Sequence, residues 1–202
     1  MNTSPIVLIT GEMRAGKSTL CQKLVQRCRS KGITVTGLIT QHPAPHSLEA
    51  LALHTTERYL LTYPFESELG TALTHFRMNP AALARSAEAL PTSFPTQVFI
   101  LDELGPLELL RGEGWIAALH LLAGEEYEIA FIVVRPALLA QAVQQLPRNS
   151  YTVANITLKN RELLAESLFQ QAWQSVENQR GEMRRPACTA AALQEALSGE
   201  YP

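Results

Sequence analysis

The chain has 202 residues, of which 46% are hydrophobic and 18% are charged, and its formal net charge is −2. This length and composition suit one α/β domain with its own core, and the near-neutral charge disfavours nucleic-acid or membrane partners. No apolar run approaches the roughly 18 residues that a membrane span needs. Because the first residues also lack the basic segment of a secretory signal, we expect a cytoplasmic protein.

The first predicted element is a buried strand at residues 6–9, and a helix with apolar spacing follows at 20–28. Between them, GEMRAGKST matches the G-x-x-x-x-G-K-[ST] phosphate-loop pattern. The backbone N–H groups of such a loop surround a polyphosphate, while Lys17 reaches the β- and γ-phosphates and Ser18 can ligate Mg²⁺. The N-terminus of the following helix adds partial positive charge. The predicted phosphate-binding residues are Gly11, Glu12, Met13, Arg14, Ala15, Gly16, Lys17, Ser18 and Thr19.

The next segments are a strand at 33–40, which is rich in β-branched residues, and a proline-bearing loop at 41–47. Residues 48–53 and 59–63 fit two short strands of a hairpin, although 48–51 also fits a helical turn. A helix at 81–90 has a clear start, since Asn79 suits the N-cap and Pro80 the first helical position.

An entirely apolar strand at 98–101 ends in Asp102 and Glu103, and such a strand is typical of the buried interior of a parallel sheet. Ligands of open α/β sheets bind at the carboxyl ends of the strands, so both acids should lie beside the phosphate loop. Asp102 can then hold Mg²⁺ together with Ser18. Glu103 can orient or deprotonate a water that attacks the γ-phosphate.

The later segments continue the alternation, with a helix at 115–122, a strand at 129–134, a helix from Arg135 to about 146, a strand at 151–154 and a helix at 161–176. This pattern predicts an α/β fold with a mostly parallel sheet and helices on both faces. A glutamate directly after the strand-end aspartate favours the branch of phosphate-loop proteins with an extra strand between the two motifs. We assign residues 1–177 to the phosphate-loop domain and 178–202 to a C-terminal tail with a short helix at 189–197.

The segments GEMRAGKSTL, GLIT, VFILDELGPLEL, VVRP and KNR together resemble the small P-loop nucleoside-triphosphatase family, over about residues 6–169. Its members include thermophile enzymes and the cancer-related nucleoside-triphosphatase of animals. The resemblance implies slow, Mg²⁺-dependent hydrolysis of ATP or another nucleoside triphosphate, with tolerance of the base. It implies that Glu103 is the catalytic carboxylate, that Asp102 is the Mg²⁺-associated acid, and that Asn160 and Arg161 lie near the nucleotide.

Three features depart from the family pattern. Pro106 stands where the family often has a lysine, and Arg14-Ala15 stands where many members have proline and glycine. The family's Gly- and Arg-rich hairpin has no clear counterpart between residues 41 and 69.

A positive charge at the γ-phosphate accelerates phosphoryl transfer, and the sequence does not rank the arginines that could supply it. They are Arg14, Arg111, Arg135 and Arg161.

Two other classes of function remain open alongside a hydrolase with Lys17 and Glu103 as catalytic residues. One is a nucleotide-dependent switch whose conformation a partner reads, although the N-K-x-D motif of a GTP-specific switch is missing. The other is a small-molecule kinase with an acceptor pocket in residues 41–78. Candidate lining residues of that pocket are Tyr59, Tyr63, Phe65, His75 and Arg77.

Overall fold

The computed structural model describes residues 5–63, 71–72, 77–124, 126–146 and 151–184. Its strands are β1 (Ile6–Thr10), β2 (Val35–Gln41), β3 (Glu49–Ala52), β4 (Arg58–Leu60), β5 (Thr62–Tyr63), β6 (Thr71–Ala72), β7 (Arg77–Met78), β8 (Thr96–Leu104), β9 (Tyr127–Val134) and β10 (Tyr151–Asn155). Its α-helices are α1 (Lys17–Ser30), α2 (Pro80–Glu88), α3 (Pro106–Arg111), α4 (Ala117–Gly124), α5 (Leu139–Gln145) and α6 (Arg161–Arg184). In the ranges described, none of these helices has the length and apolarity to cross a bilayer.

The main sheet has seven strands in the order β10-β1-β9-β8-β2-β3-β4. The first five of these are parallel to one another, while β3 and β4 form an antiparallel hairpin at one edge. A mostly parallel sheet and the hairpin are therefore confirmed. Strand β9 lies between the strand that enters the phosphate loop and the strand that carries the acids, which confirms the predicted extra strand. A smaller antiparallel sheet contains β5, β7 and β6.

Two apolar layers cover the two faces of the main sheet, because neighbouring strand residues point to opposite sides. Along β1, Ile6 and Leu8 belong to one core cluster, and Val7 and Ile9 belong to the other. The cluster that contains Val7 also includes residues of α1 and α6, whereas the opposite cluster includes residues of α3, α4 and α5. Helices on both faces are confirmed.

Several element boundaries differ from the predictions. Helix α1 begins at Lys17, before the predicted start, because the end of the phosphate loop already has helical backbone although its side chains are polar. Strand β8 includes both acids and ends at Leu104, with an irregular register after Leu101. The predicted helix from Arg135 begins with a 3₁₀ turn, Pro136–Leu138, and becomes α-helical at α5.

Three further differences concern helices. The short helix α3 was not predicted, although Pro106 and Glu108 occupy its first and third positions, as helix-start rules favour. The next helix, α4, begins at Ala117, later than predicted. The last helix continues past Val176 to Arg184. The helix predicted at 189–197 lies outside the described residues.

Candidate active site

The loop between β1 and α1 has its lysine folded over its own first turn. The Lys17 Nζ atom donates hydrogen bonds to the carbonyl oxygens of Gly11 and Glu12, at 2.7 and 2.9 Å. The backbone N–H of Ala15 donates to the Glu12 carbonyl at 3.2 Å and tightens the same turn. The ammonium group therefore lies at the loop that the sequence assigns to phosphate binding.

Two glycines let neighbouring segments approach this loop closely. Gly16 has a φ of 97°, and a Cβ added there would lie 2.8 Å from Cδ and 2.9 Å from Nη1 of Arg161. A Cβ on Gly11 would collide with the carbonyl group of Ile156, which follows β10. Arg161 therefore lies against the phosphate loop. Only the bare glycine backbone leaves room for this packing.

Asn160, the other residue of the late pair, has its side chain engaged within its own loop. Its Oδ1 atom accepts a hydrogen bond from the Thr157 N–H at 2.7 Å, and its Nδ2 atom donates to the Asn155 carbonyl at 2.9 Å. Its own carbonyl accepts the first helical bond of α6, from Leu164, at 2.8 Å. Asn160 thus shapes the turn from which Arg161 emerges.

Asp102 connects the acidic strand with the phosphate loop. Its carboxylate accepts a hydrogen bond from Thr40 Oγ1 at 3.3 Å, the Ser18 side chain is close enough to lower its pKa, and the residue is only 2% exposed. Burial raises the pKa of this carboxyl to about 6, and the charge of Glu103 adds to the rise, while the hydroxyl hydrogen bonds oppose it. The two distant motifs therefore meet at one edge of the sheet. Thr40, the last residue of a β-branched run, was not among the predicted site residues.

These groups fit a magnesium ion. A buried carboxylate with a raised pKa gains stability from a nearby cation, and the donors around it are hydroxyl and carboxylate oxygens, which Mg²⁺ prefers. No cluster of three His, Cys, Asp or Glu side chains occurs among the described residues. A Mg²⁺ site typically has only a few protein ligands, because the ion keeps several waters and binds substrate phosphates.

Glu103 is paired with an arginine. Its Oε1 atom accepts a hydrogen bond from Nε of Arg135, the residue that directly follows β9. The side chains are 23% and 59% exposed, respectively, so the pair lies at the surface of the site. Of the four candidate arginines, Arg135 is the one whose described contacts include Glu103.

Glu108 holds the backbone that follows the two acids. This residue is 5% exposed, and its carboxylate accepts hydrogen bonds from the N–H groups of Gly105 at 2.9 Å and Trp115 at 3.0 Å. Burial raises its pKa. The Glu108 side chain therefore links the start of α3 to Trp115, in the segment that leads into α4. Glu108 was not predicted to have this role, although its spacing from Gly105 is that of a helix-capping glutamate.

A cavity of about 340 Å³ adjoins the start of the phosphate loop. Its lining residues are Thr10, Gly11, Glu12, Pro136, Leu139, Asn155, Ile156 and Thr157. None of these lining residues belongs to residues 41–78, the segment proposed for a kinase acceptor pocket. From that segment, Tyr59 is 5% exposed and belongs to the core, and its hydroxyl donates to Glu57 at 2.8 Å. Phe65 and His75 lie outside the described residues.

The strand order, the phosphate loop and the acid beside it define a P-loop fold that binds nucleoside triphosphates. Comparison with known proteins agrees with this class. A family model described as NTPase matches residues 6–169, so the chain belongs to this family and is a hydrolase of nucleoside triphosphates. A nucleoside-triphosphatase, THEP1 from Methanopyrus kandleri, is 28% identical over 171 residues, which cover 81% of this chain and 93% of that protein.

A solved structure also shares the fold. The crystal structure of THEP1 from the hyperthermophile Aquifex aeolicus matches with a TM-score of 0.58 at 18% identity. The match covers 81% of this chain and 96% of the THEP1 chain.

Proposed function

We propose that the protein hydrolyses ATP or another nucleoside triphosphate to the diphosphate and phosphate, in a slow, Mg²⁺-dependent reaction that tolerates different bases. The observation that carries this proposal is the proximity of Ser18, in the phosphate loop, to the buried carboxylate of Asp102 on the acidic strand, whose pKa the Ser18 side chain lowers. Membership of the NTPase family supports it. We also propose that residues 1–177 carry the activity, a range that includes the residues matched by the family model, 6–169.

Phosphate binding is assigned to the loop at residues 11–19 and to the start of α1. Backbone N–H groups of the loop would bind the phosphate oxygens, and Lys17 would exchange its bonds to the loop carbonyls for the β- and γ-phosphates. Arg161 would add a positive charge over the loop, since it packs against Gly16. The partial positive charge of the helix N-terminus favours the same anion.

Ser18 and Asp102 would hold Mg²⁺ in this proposal. When bound, the ion would neutralise negative charge on the triphosphate. Thr40 would keep the carboxylate of Asp102 oriented, because its hydroxyl already donates to Oδ2. The burial of Asp102 keeps bulk water from competing for this carboxylate.

Glu103 is proposed to accept a proton from the attacking water. The water oxygen forms a bond to the γ-phosphorus while the bond from that phosphorus to the bridging oxygen breaks. The electron pair of the broken bond stays on the β-phosphate of the leaving diphosphate. The partial exposure of Glu103, 23% of its side chain, gives water access to the carboxylate.

Phosphate release from ATP and Mg²⁺, with no acceptor present, tests this reaction. Glu103→Gln should abolish release while nucleotide still binds, because it removes the base but keeps the shape of the side chain. Glu113→Gln is the matched control, since it makes the same change at an exposed position nearby. Release by Glu103→Gln at the wild-type rate would refute the assignment, and release that requires an added metabolite would indicate a kinase.

Nucleotide binding is measured separately by thermal unfolding. A ligand at 100-fold excess over its Kd adds about 2.7 kcal/mol to stability. For a domain of this size, that shift corresponds to about 5–11 °C in Tm. The wild type and Glu103→Gln should shift equally with ADP and Mg²⁺, and the lack of a shift in both would contradict the phosphate site.

A further inference from the structure

The pairing of Glu103 with Arg135 engages the candidate base before any reaction begins. Arg135 Nε donates directly to Glu103 Oε1. Strand β9 lies between β1 and β8, so its carboxyl end separates the phosphate loop from the acidic pair. An arginine at this end is therefore next to both halves of the site.

The other candidate arginines have different surroundings. Arg161 packs against Gly16, and its Nε atom lies 3.6 Å from Glu162. Arg111 is in the last turn of α3, and Arg14 is an exposed residue of the loop itself. Among the described contacts, the one between an arginine and Glu103 belongs to Arg135.

We propose that Arg135 is a catalytic residue that moves from Glu103 to the γ-phosphate when a nucleoside triphosphate binds. This inference rests on the proposed hydrolase function. A half-exposed ion pair contributes little stability and breaks easily. The guanidinium group matches the paired oxygens of a phosphate and binds them with two parallel hydrogen bonds. A diphosphate has no γ-phosphate, so it leaves the pair intact.

One movement would complete both parts of the catalytic arrangement. The departure of Arg135 frees the Glu103 carboxylate to take the proton of the attacking water. The guanidinium then stabilises the charge that spreads over the γ-phosphate oxygens as the bond to the bridging oxygen breaks. Arg135 itself forms and loses only hydrogen bonds. Hydrolysis would thus begin only when a triphosphate occupies the loop.

The first test is phosphate release by Arg135→Gln. An arginine at the γ-phosphate contributes about 10³- to 10⁵-fold in rate, so we expect kcat to fall by at least about 10³-fold while ADP affinity stays unchanged. Arg180→Gln is the matched control, because Arg180 also pairs with a glutamate, Glu177, but on the last part of α6. Its kcat should equal that of the wild type.

The second test measures the switch by binding alone. Glu103→Gln releases Arg135, so a non-hydrolysable ATP analogue should bind up to about five-fold tighter, whereas ADP should bind as before. The gain should vanish in the double variant with Arg135→Gln. Tighter binding of the analogue that persists in the double variant would refute the movement of Arg135 to the γ-phosphate. The gain in affinity would then come only from the loss of the negative charge of Glu103.

The outcomes separate this inference from the function on which it rests. If the wild type hydrolyses ATP and Arg135→Gln does so equally fast, the role of Arg135 is refuted and the hydrolase stands. If the wild type releases no phosphate, the function itself fails. Arg135→Lys covers the case in which Arg135→Gln does not fold. It keeps the charge without the planar fork, and we expect at least a ten-fold loss of kcat, whereas an unchanged kcat would refute the role.

Discussion

Asp102→Asn should stabilise the protein that is free of metal and nucleotide. Burial raises the pKa of this carboxyl from the ordinary 3.8 to about 6. The folded state therefore binds the proton more tightly than the unfolded chain, and stability is lost as the pH rises from about 4 to about 6. Each pKa unit corresponds to 1.36 kcal/mol, so the charged carboxylate costs about 3 kcal/mol at neutral pH.

The expected gain can be measured by thermal unfolding in a metal chelator. About 3 kcal/mol corresponds to about 6–12 °C in Tm for a domain of this size, and about half of that gain should remain at pH 5. Glu113→Gln, at an exposed carboxylate, should change Tm little at either pH. Mg²⁺ and ADP should raise the Tm of the wild type more than that of Asp102→Asn, because only the wild type keeps the carboxylate proposed to hold Mg²⁺.

Asp102 is the only aspartate in the sequence, which allows a direct assay. Aspartate labelled with carbon-13 at its carboxyl gives one signal to follow from pH 4 to 8, with an expected midpoint near 6. A midpoint near 4, together with no gain in Tm for Asp102→Asn, would refute the reasoning. It would mean that water or a neighbouring cation solvates this carboxylate in the folded protein.

Two other substitutions test parts of the scaffold. Gly16→Ala forces a Cβ into the left-handed region and against Arg161, so both Tm and ADP affinity should fall, and unchanged ADP affinity would argue against that packing. Glu108→Ala leaves the buried N–H groups of Gly105 and Trp115 without their acceptor, at a cost of about 1–3 kcal/mol each. Thermal unfolding should show a larger loss for Glu108→Ala than for Glu108→Gln, which keeps one acceptor, and equal losses would contradict this role.

The phosphate loop and the acidic strand end could both be predicted because each is a local pattern. The nine residues of the loop are consecutive, and the apolar run before Asp102 is uninterrupted. The loop was predicted from its motif alone, and the position of the acids beside it needed one general rule, that ligands bind at the carboxyl ends of parallel strands. The helix start at Asn79 was equally local, and its side chain accepts a hydrogen bond from the Ala82 N–H, as an N-cap should.

Contacts between distant segments were not predictable in the same way. Thr40 and Asp102 are 62 positions apart, and Glu103 and Arg135 are 32 apart. The partners of these acids depend on which strands are neighbours, and buried apolar strands have similar compositions whatever their neighbours are. Helix α3 was missed for another reason, because a short helix is stabilised by caps more than by apolar spacing.

By itself, the sequence determined the chemical groups of the candidate site: a loop with the phosphate-binding pattern, a hydroxyl beside its lysine, and two carboxylates after a buried strand. The tertiary structure decided which strand lies between them, and therefore which arginine contacts the acid that would act as base. It also decided how far Asp102 is removed from water, which sets its pKa. The reason is physical: burial and charge pairing depend on the packing of segments that are far apart in the chain, whereas loop and cap geometry depend on near neighbours.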